Sequence, residues 1–260
     1  MKEGIILKED WSLLCQRNDV CNLTGKDSLF EKSLRLFPTL DLVFQHNFEK
    51  LKQLKMSSGQ VVVVIKAEHP YGGGIAEKSN SDHAGGLEAV IALCIGARVM
   101  LVHNLWVQCG LVNGSVGTVR GIVYKDGTKP PALPLAVLVE FDNFQGPCLQ
   151  PHNVIPIPCQ TTHWSENGKS CARTQLPLTL CWATTIHKSQ GLTLEKVVVH
   201  LGAKDFCPGL TYVALSRVRK LTDLCLYPVD FSRLQAISKS GALRKRKNEE
   251  RRLRELISVD

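Results

Sequence analysis

Short apolar runs separated by turn-forming residues dominate the hydrophobic pattern of much of the chain. Residues 61–65 form an unbroken β-branched run that predicts a buried strand. Residues 41–54 instead repeat apolar positions at a nearly helical period and predict a helix. Further strands are predicted at 98–102, 116–124, 135–141, 154–158 and 174–182. Short strands so closely spaced are typical of a small barrel or sandwich.

The pattern changes towards the carboxyl end of the chain. Residues 196–201 predict a buried strand, residues 210–218 a helix of small and apolar residues, and residues 223–226 another strand. Strand, helix and strand in this order belong to an α/β layer. We therefore expect an α/β domain that a small β insert interrupts, with a mobile loop rich in Gly and Ser at 70–86.

The composition is that of an ordinary globular protein. Of the 260 residues, 44% are hydrophobic and 22% are charged, which excludes disorder or a collagen-like repeat as a description of the whole chain. The longest apolar run, from Ala89 to Ala97, is far shorter than the roughly 20 residues that cross a bilayer. The first residues, MKEGIILKEDW, lack the pattern of a secretory signal. We expect a soluble protein that is neither secreted nor in contact with a membrane.

Positive charge is concentrated near the carboxyl end. The net charge is +8, and the segment from Lys239 to Glu255 contains eight basic and three acidic residues. One interpretation is a solvated helix that is held by pairs such as Glu250 with Arg254. The other is an arm that binds a polyanion or directs the chain to the nucleus. Both interpretations stay open at this point.

Two Cys/His pairs raise the question of a metal site. Cys148 and His152 have the same spacing as Cys159 and His163, and zinc would accept such a set if the loops converged. No usual zinc-finger spacing is matched, however, and prolines crowd the segment. We expect scattered loop residues and no metal site.

Two segments have the residue types of a phosphate-binding site. In WATTIHKSQGLT (182–193), an apolar strand runs into a loop of hydroxyl, imidazole, amine and amide side chains. Ligands bind at the carboxyl ends of strands in open α/β sheets, and hydroxyl and backbone N–H groups suit phosphate oxygens. In TYVALSRVR (211–219), an apolar helical face ends at Arg217 and Arg219. Arginine is the side chain suited to bidentate phosphate binding.

These two segments resemble helicase motifs V and VI, and together they resemble the petite-integration-frequency family of superfamily-one DNA helicases, relatives of RecD. LRLFPTLDLVFQHN is similar to the motif IV region of that family. GARVMLVHNL and GLVNGSVGTV are similar to the stretch that leads into its SH3-like insert, and TQLPLTLCWA to the stretch that leads out. The resemblance covers residues 34–231, with all segments in the family's order.

The resemblance implies the domain organisation of the chain. We expect a second RecA-like helicase core domain, of α/β class, that an SH3-like β insert interrupts and a basic helical tail follows. The expected parts are an unassigned segment 1–30, the two RecA-like segments 31–112 and 179–232, the SH3-like insert 113–178 and the tail 233–260.

The resemblance also implies a role for each matching position. Arg217, in the sequence ALSR, would be the arginine finger that reaches the γ-phosphate of ATP. Gln190 and Gly191 would lie near the nucleotide, which Mg²⁺ would accompany. Single-stranded DNA would contact Pro38, Thr39, Asn47, Thr185, His187 and Ser189, mostly through its phosphates.

One half of such a helicase has no counterpart in this sequence. Its phosphate-binding loop has the pattern GxxxxGK followed by Ser or Thr. Gly168-Lys169-Ser170 supplies only the end of that pattern, because His163 stands where the first Gly belongs. We therefore expect the carboxyl-terminal half of a helicase, with a first RecA-like domain, in cis or in trans, binding most of the ATP and Mg²⁺.

Two functions from different classes remain open. The first is half of an ATP-dependent 5′–3′ DNA helicase of the nucleus or mitochondrion, inactive alone, with the family's links to recombination, repair and telomere maintenance. The second is a non-catalytic module that binds single-stranded nucleic acid, or a transposon-derived helicase remnant. Whether the chain alone is an enzyme is left undecided by the residues.

Overall fold

The computed structural model describes residues 8–15, 17, 30–150, 153–202, 209–227 and 241–257. Most of the segment 1–30, and residues 233–240 and 258–260 of the predicted tail, lie outside this part. None of the helices that the described residues form is both long and apolar enough to cross a membrane.

Strands and helices are numbered in chain order. The strands are β1 (Leu34–Phe37), β2 (Val63–Lys66), β3 (Val90–Leu93), β4 (Arg98–Leu101), β5 (Val116–Val123), β6 (Ala136–Phe141), β7 (Ile155–Ile157), β8 (Gln160–Glu166), β9 (Lys169–Gln175), β10 (Leu178–Leu180), β11 (Ala183–Thr185), β12 (Val197–His200) and β13 (Leu224–Tyr227). The helices are α1 (Lys8–Cys15), α2 (Leu40–Ser58), α3 (Gly73–Lys78), α4 (Leu210–Leu215) and α5 (Gly241–Ile257).

The chain divides into two compact units. Unit 1 comprises residues 1–45 and 183–260, and unit 2 comprises residues 46–182. The boundary falls inside α2 and again just before β11. Unit 2 thus contains the expected insert 113–178 together with the segment that precedes it, and the expected domain boundaries stay predictions.

Unit 1 is built on a parallel sheet. Its strand order is β11-β1-β12-β13, and all three pairings are parallel. Residues 197–199 of β12 are fully buried, as a strand covered on both faces requires. Leu210 and Ala214 of α4 pack in the same core as Leu36 and Leu226 of the sheet. The predicted strand, helix and strand are therefore present, and this layer fits a RecA-like core.

Unit 2 is built on an antiparallel sheet. The strand order is β10-β4-β5-β6-β7, and the core is made by the inward-facing residues of these strands, such as Val99, Val119 and Val139. Gly117 in β5 lies so close to β6 that a Cβ atom there would be 2.7 Å from the Glu140 carbonyl oxygen. Only glycine fits this position without a shift of the backbone.

Several sequence predictions in unit 2 differ from the structure. Helix α3 lies within the predicted loop 70–86, and β3, β8 and most of β9 were not predicted. The run 61–65 predicted a fully buried strand, but Val61 is 76% exposed and Val64 is 43% exposed. Among the described strands, β2 pairs only with β3, in a two-stranded ladder, so that one of its faces meets solvent. The predicted strand 174–182 is divided, because β9 ends at Gln175 and β10 begins only at Leu178.

A buried arginine anchors the loop 70–86. Arg173 of β9 is fully buried, and its Nη2 donates to the Ala76 and Ser79 carbonyl oxygens, each at 2.7 Å. Its Nη1 donates to the Leu87 carbonyl oxygen at 2.8 Å, and its Nε lies 3.2 Å from His69 Nε2. Burial lowers the pKa of Arg173, yet a guanidinium keeps its charge at neutral pH. One cation therefore satisfies two carbonyl groups of the segment 70–86 and a third that directly follows it.

We expect Arg173→Gln to lower the free energy of unfolding by about 3 kcal/mol, because a shorter, neutral amide leaves buried carbonyl groups without a donor. Urea unfolding followed by circular dichroism measures this change. Arg120→Gln is the matched control, since Arg120 forms a partly exposed ion pair with Glu140, and such pairs contribute about 1 kcal/mol or less. Equal losses in the two variants would contradict the anchoring role.

Candidate functional site

The carboxyl ends of three parallel strands of unit 1 bring the predicted site segments together. β1 lies between β11 and β12, with Phe37 in register with Thr185. The backbone N–H of Ile186 donates to the Phe37 carbonyl oxygen at 3.0 Å. Residues 38–39 and the loop 186–192 therefore start side by side at the same edge of the sheet. Gly202, two residues after the end of β12, also approaches this edge, since a Cβ atom there would lie 3.2 Å from the Pro38 ring.

Hydroxyl groups build the loop 186–192 from within. Thr185 Oγ1 accepts from the Lys188 backbone N–H at 3.1 Å, and Ser189 Oγ donates to the Ile186 carbonyl oxygen at 2.7 Å. Both hydroxyl side chains are buried. His187 and Lys188, in contrast, are exposed. The loop thus presents an imidazole and an amine to solvent, while its hydroxyls hold its shape.

Gln190 and Gly191, which were predicted to lie near the nucleotide, also belong to this loop. Both are exposed, and Gly191 has a φ of +82°, in the left-handed region that favours glycine. A residue with a Cβ atom would be strained in this backbone conformation. The two residues follow directly after Ser189, so they lie next to the segment that Arg217 contacts.

Arg217 joins the loop 186–192 to the α4 segment. Its Nε donates to the Val213 carbonyl oxygen at 2.7 Å, and its Nη1 donates to the Ser189 and Leu192 carbonyl oxygens, each at 3.1 Å. Its Nη2 donates to Ser216 Oγ at 2.8 Å. The Leu194 backbone N–H donates to the Arg217 carbonyl oxygen at 2.8 Å. Side chain and backbone of one residue therefore connect two segments that are distant in sequence.

The hydrogen bonds of Arg217 limit what else it can bind. A guanidinium has five N–H groups, and the contacts to Val213, Ser189, Leu192 and Ser216 use four of them. Bidentate binding of a phosphate needs two N–H groups on one edge. Arg217 must therefore release at least one internal acceptor before it can bind a phosphate in this manner.

The remaining predicted DNA contacts are placed differently. Pro38 is buried and Thr39 is half-buried at the edge of the parallel sheet. Asn47 belongs to unit 2, is only 6% exposed, and donates from Nδ2 to the Leu180 carbonyl oxygen at 3.1 Å. A contact from its amide to DNA would have to replace that hydrogen bond, and its role stays a prediction.

Two features of the sheet edge were missed by the sequence reasoning. Lys188 is an exposed cation between His187 and Ser189, two predicted DNA contacts. Its position within the polar loop was the signal that could have made it a further candidate contact. Arg35 and Phe37 both meet His200: Arg35 Nη1 lies 3.2 Å from His200 Nε2, and the Phe37 and His200 rings stack at 4.3 Å. Burial lowers the pKa of Arg35. Nothing local in the sequence connects β1 to the end of β12.

The Cys/His pairs do not form a metal centre in the described part of the chain. No group of at least three His, Cys, Asp or Glu side chains comes together among the residues that the structure describes. His152 lies outside them. Cys159 has a pKa raised by burial to about 11, and its Sγ contacts the Pro134 carbonyl oxygen.

Comparison with known proteins connects this chain to Pif1 helicases. The family model described as the 2B domain of the DNA helicase Pif1 matches residues 82–122. The ATP-dependent DNA helicase PIF1 of Homo sapiens is 37% identical over 161 residues, which cover 60% of this chain and 23% of that protein. The resemblance that motifs V and VI indicated is therefore confirmed, although the chain spans less than a quarter of this relative.

Solved structures share the fold over most of the chain. The Pif1 helicase of Candida albicans superposes on this chain with a TM-score of 0.71 at 23% sequence identity. The match covers 95% of this chain and 55% of the Candida albicans chain. The Bacteroides Pif1 bound to ssDNA superposes with a TM-score of 0.60 at 24% identity and covers 88% of this chain and 47% of its own. The α/β fold is thus that of Pif1 helicase structures, and the chain spans about half of each.

We expect Arg217→Lys to loosen the loop 186–192, because a lysine ammonium cannot reach the Val213, Ser189 and Leu192 carbonyl groups at once. The amides of Leu192 and Leu194 should exchange hydrogen about tenfold faster or more, which corresponds to about 1.4 kcal/mol of local stability. Hydrogen–deuterium exchange measures this, with the exposed Arg219→Lys as the control. Unchanged exchange in Arg217→Lys would show that the guanidinium does not hold the loop.

Proposed function

We propose that this chain is the carboxyl-terminal part of an ATP-dependent 5′–3′ DNA helicase. It would supply the second RecA-like domain, an SH3-like insert and a basic tail. The observation that carries the proposal is Arg217, which contacts both the loop 186–192 and the α4 segment beside the carboxyl edge of a parallel sheet. Similarity to the ATP-dependent DNA helicase PIF1 of Homo sapiens over 60% of the chain supports it.

In this proposal Arg217 stabilises charge on the transferring phosphoryl group of ATP. Its guanidinium would exchange internal acceptors for phosphate oxygens. An exchange of the Nη1 hydrogen bonds would remove this donor from the Leu192 carbonyl group and leave the Ser189 carbonyl group with the Leu192 backbone N–H. Because these carbonyls belong to the loop that carries Gln190 and Gly191, nucleotide binding would change the loop. Nucleotide and DNA contacts would thereby be coupled through one side chain.

Single-stranded DNA would run along the edge of the parallel sheet. The exposed His187 and Lys188 would contact its phosphates, and Thr185 and Ser189 would act by holding the loop. Residues 38–39 and Asn47 are the other proposed contacts. Phosphate contacts position a strand without reading its sequence. A related helicase, the Bacteroides Pif1, has been crystallised bound to ssDNA, which supports this class of ligand.

Hydrolysis would need a further RecA-like domain, in cis or in trans. The described residues contain no cluster of acidic side chains for Mg²⁺, and the sequence has no complete phosphate-binding loop. The residues present fit one side of an ATP site, where Arg217 and Gln190 would face the phosphates. A DNA substrate would place the protein in the nucleus or mitochondrion, with roles in recombination, repair or telomere maintenance.

The second candidate is a module that binds single-stranded nucleic acid without catalysis, such as a transposon-derived helicase remnant. The observation that favours it is the internal satisfaction of Arg217, which gives this residue a structural role without any nucleotide. In that case nucleic-acid binding would persist with strong salt dependence, and ATP would have no effect.

The two candidates differ in ATP turnover after a phosphate-loop domain from a related helicase is supplied. We expect the chain alone to be inactive and the reconstituted pair to hydrolyse ATP when single-stranded DNA is present. Arg217→Ala should lower this turnover about a thousandfold or more, as loss of an arginine finger does. Arg219→Ala is the matched control. Turnover that survives Arg217→Ala would exclude the finger, and no turnover in any pair would favour the binding module.

We expect Lys188→Gln to weaken the binding of single-stranded DNA, because it removes an exposed cation beside His187. The slope of log affinity against log salt should fall by about 0.7, the value for one phosphate contact on a single strand. Fluorescence anisotropy with a labelled oligonucleotide measures the slope. Lys125→Gln removes the same charge from an exposed site in unit 2 and should leave it unchanged. Identical slopes in both variants would remove Lys188 from the DNA path.

A further inference from the structure

Helix α5 is a basic helix whose described side chains are exposed. It runs from Gly241 to Ile257 with the sequence GALRKRKNEERRLRELI. The described side chains, at positions 241, 244–246 and 248–253, are all exposed. The proposed ATP and DNA contacts use none of them. The positive charge of the helix therefore has no role in the function proposed above.

Some of these charges are neutralised within the helix and others are not. Arg246 pairs with Glu250 at 2.8 Å, and Arg252 pairs with Glu249 at 2.7 Å. Arg244, Lys245 and Arg251 form no ion pair with any residue in the described part of the chain. Both described glutamates are thus engaged, which leaves these three cations in excess.

The unpaired cations share one side of the helix. At about 100° per residue, Arg244, Lys245 and Arg251 fall within an arc of about 120°, and Glu249 and Glu250 lie outside it. From Arg244 to Arg251 the helix rises by about 10 Å. We call the surface formed by Arg244, Lys245 and Arg251 the basic face of α5.

We propose that the basic face of α5 binds the phosphate backbone of double-stranded DNA. Duplex DNA carries about one negative charge per 1.7 Å of axis, so a span of about 10 Å opposes several phosphates. An α-helix also fits the roughly 12 Å width of the major groove. The proposal goes beyond the function proposed above, since it involves neither ATP nor the loop 186–192.

The residue types of α5 favour a duplex over other polyanions. Single strands add stacking of their bases on aromatic side chains to their phosphate contacts. Residues 241–257 contain no aromatic residue, so α5 offers only the phosphate contacts that a duplex also accepts. A helix that lies on a membrane needs a continuous apolar face with large side chains. The stretch 244–252, which carries the basic face, contains no apolar residue, and the large apolar residues of the helix sequence stand only at 243, 253, 256 and 257. A regular array of phosphates needs only the exposed cations that α5 presents.

The test compares two triple variants of the full chain that each lose three positive charges. The first is Arg244→Gln with Lys245→Gln and Arg251→Gln, where glutamine preserves helix propensity. The control is Lys55→Gln with Lys125→Gln and Lys129→Gln, which are exposed positions in unit 2. Anisotropy titrations with a labelled blunt duplex, at several salt concentrations, give affinity and salt slope. Circular dichroism checks that both variants keep their helix content.

We expect the α5 variant to lose at least tenfold in duplex affinity at low salt, and its salt slope to fall by about 3. The control should stay within about twofold of the unmodified chain, since it keeps the basic face. The α5 variant should keep its affinity for single-stranded DNA within about twofold, since the proposed strand path uses none of its three residues. This contrast separates the present proposal from the proposed helicase function, which can fail in ATP turnover while the duplex result stands.

Three outcomes would overturn the proposal. Equal losses in the two triple variants would show a general effect of net charge. A loss confined to single-stranded DNA would show that the helix serves the strand path. Binding of anionic vesicles or of polyglutamate that depends on the basic face, without duplex binding, would assign the surface to a membrane or to an acidic protein.

Discussion

Hydrogen bonds from one guanidinium, that of Arg217, hold the candidate site together. Arg217 donates to the carbonyl groups of Val213, Ser189 and Leu192. The first two also accept from Ser216 Oγ and from the Leu192 backbone N–H, so the Leu192 carbonyl group depends most on the guanidinium. A carbonyl left without a donor in a partly buried position costs about 1–3 kcal/mol. No other side chain offers donors in so many directions at once. The loop 186–192 and the α4 segment are consequently held as one piece.

The parallel sheet decides which groups remain for ligands. Its carboxyl edge brings residues 38–39 beside the loop 186–192, but the loop must also satisfy its own backbone. Hydroxyl groups close to a turn find backbone partners first, because such local hydrogen bonds need little ordering of the chain. Thr185 and Ser189 follow this rule, and both are buried. The longer side chains of His187 and Lys188 extend beyond the turn. They are exposed and can contact a ligand from solvent.

Local patterns in the sequence predict many of the strands and helices, but they do not predict contacts between residues that are distant in the chain. The buried strand β12, helix α4 and the strands β4 to β7 follow from apolar runs and turn residues, whereas β3, β8 and most of β9 were not predicted. The exposure of Val64 could not be predicted, because it depends on β2 having β3 as its single described neighbour. The same holds for Arg173, whose acceptors lie 86 to 97 residues away in the chain. Motif resemblance identified Arg217, but only the structure defines which of its hydrogen bonds a phosphate would have to replace.

The arginines of this chain differ chiefly in how far their donors are already used. Arg173 is fully buried, and its acceptors fix a loop, so that a ligand could reach it only by unfolding that loop. Arg217 is half-buried at a turn, where one or two acceptors can be exchanged for phosphate oxygens while the others keep its position. Arg244 and Arg251 have no internal acidic partner in the described part of α5 and need no exchange at all. A switchable contact to a nucleotide requires the intermediate case, because only there does binding change the protein. Steady attachment to a long phosphate backbone requires the last, because it should persist whatever the nucleotide state.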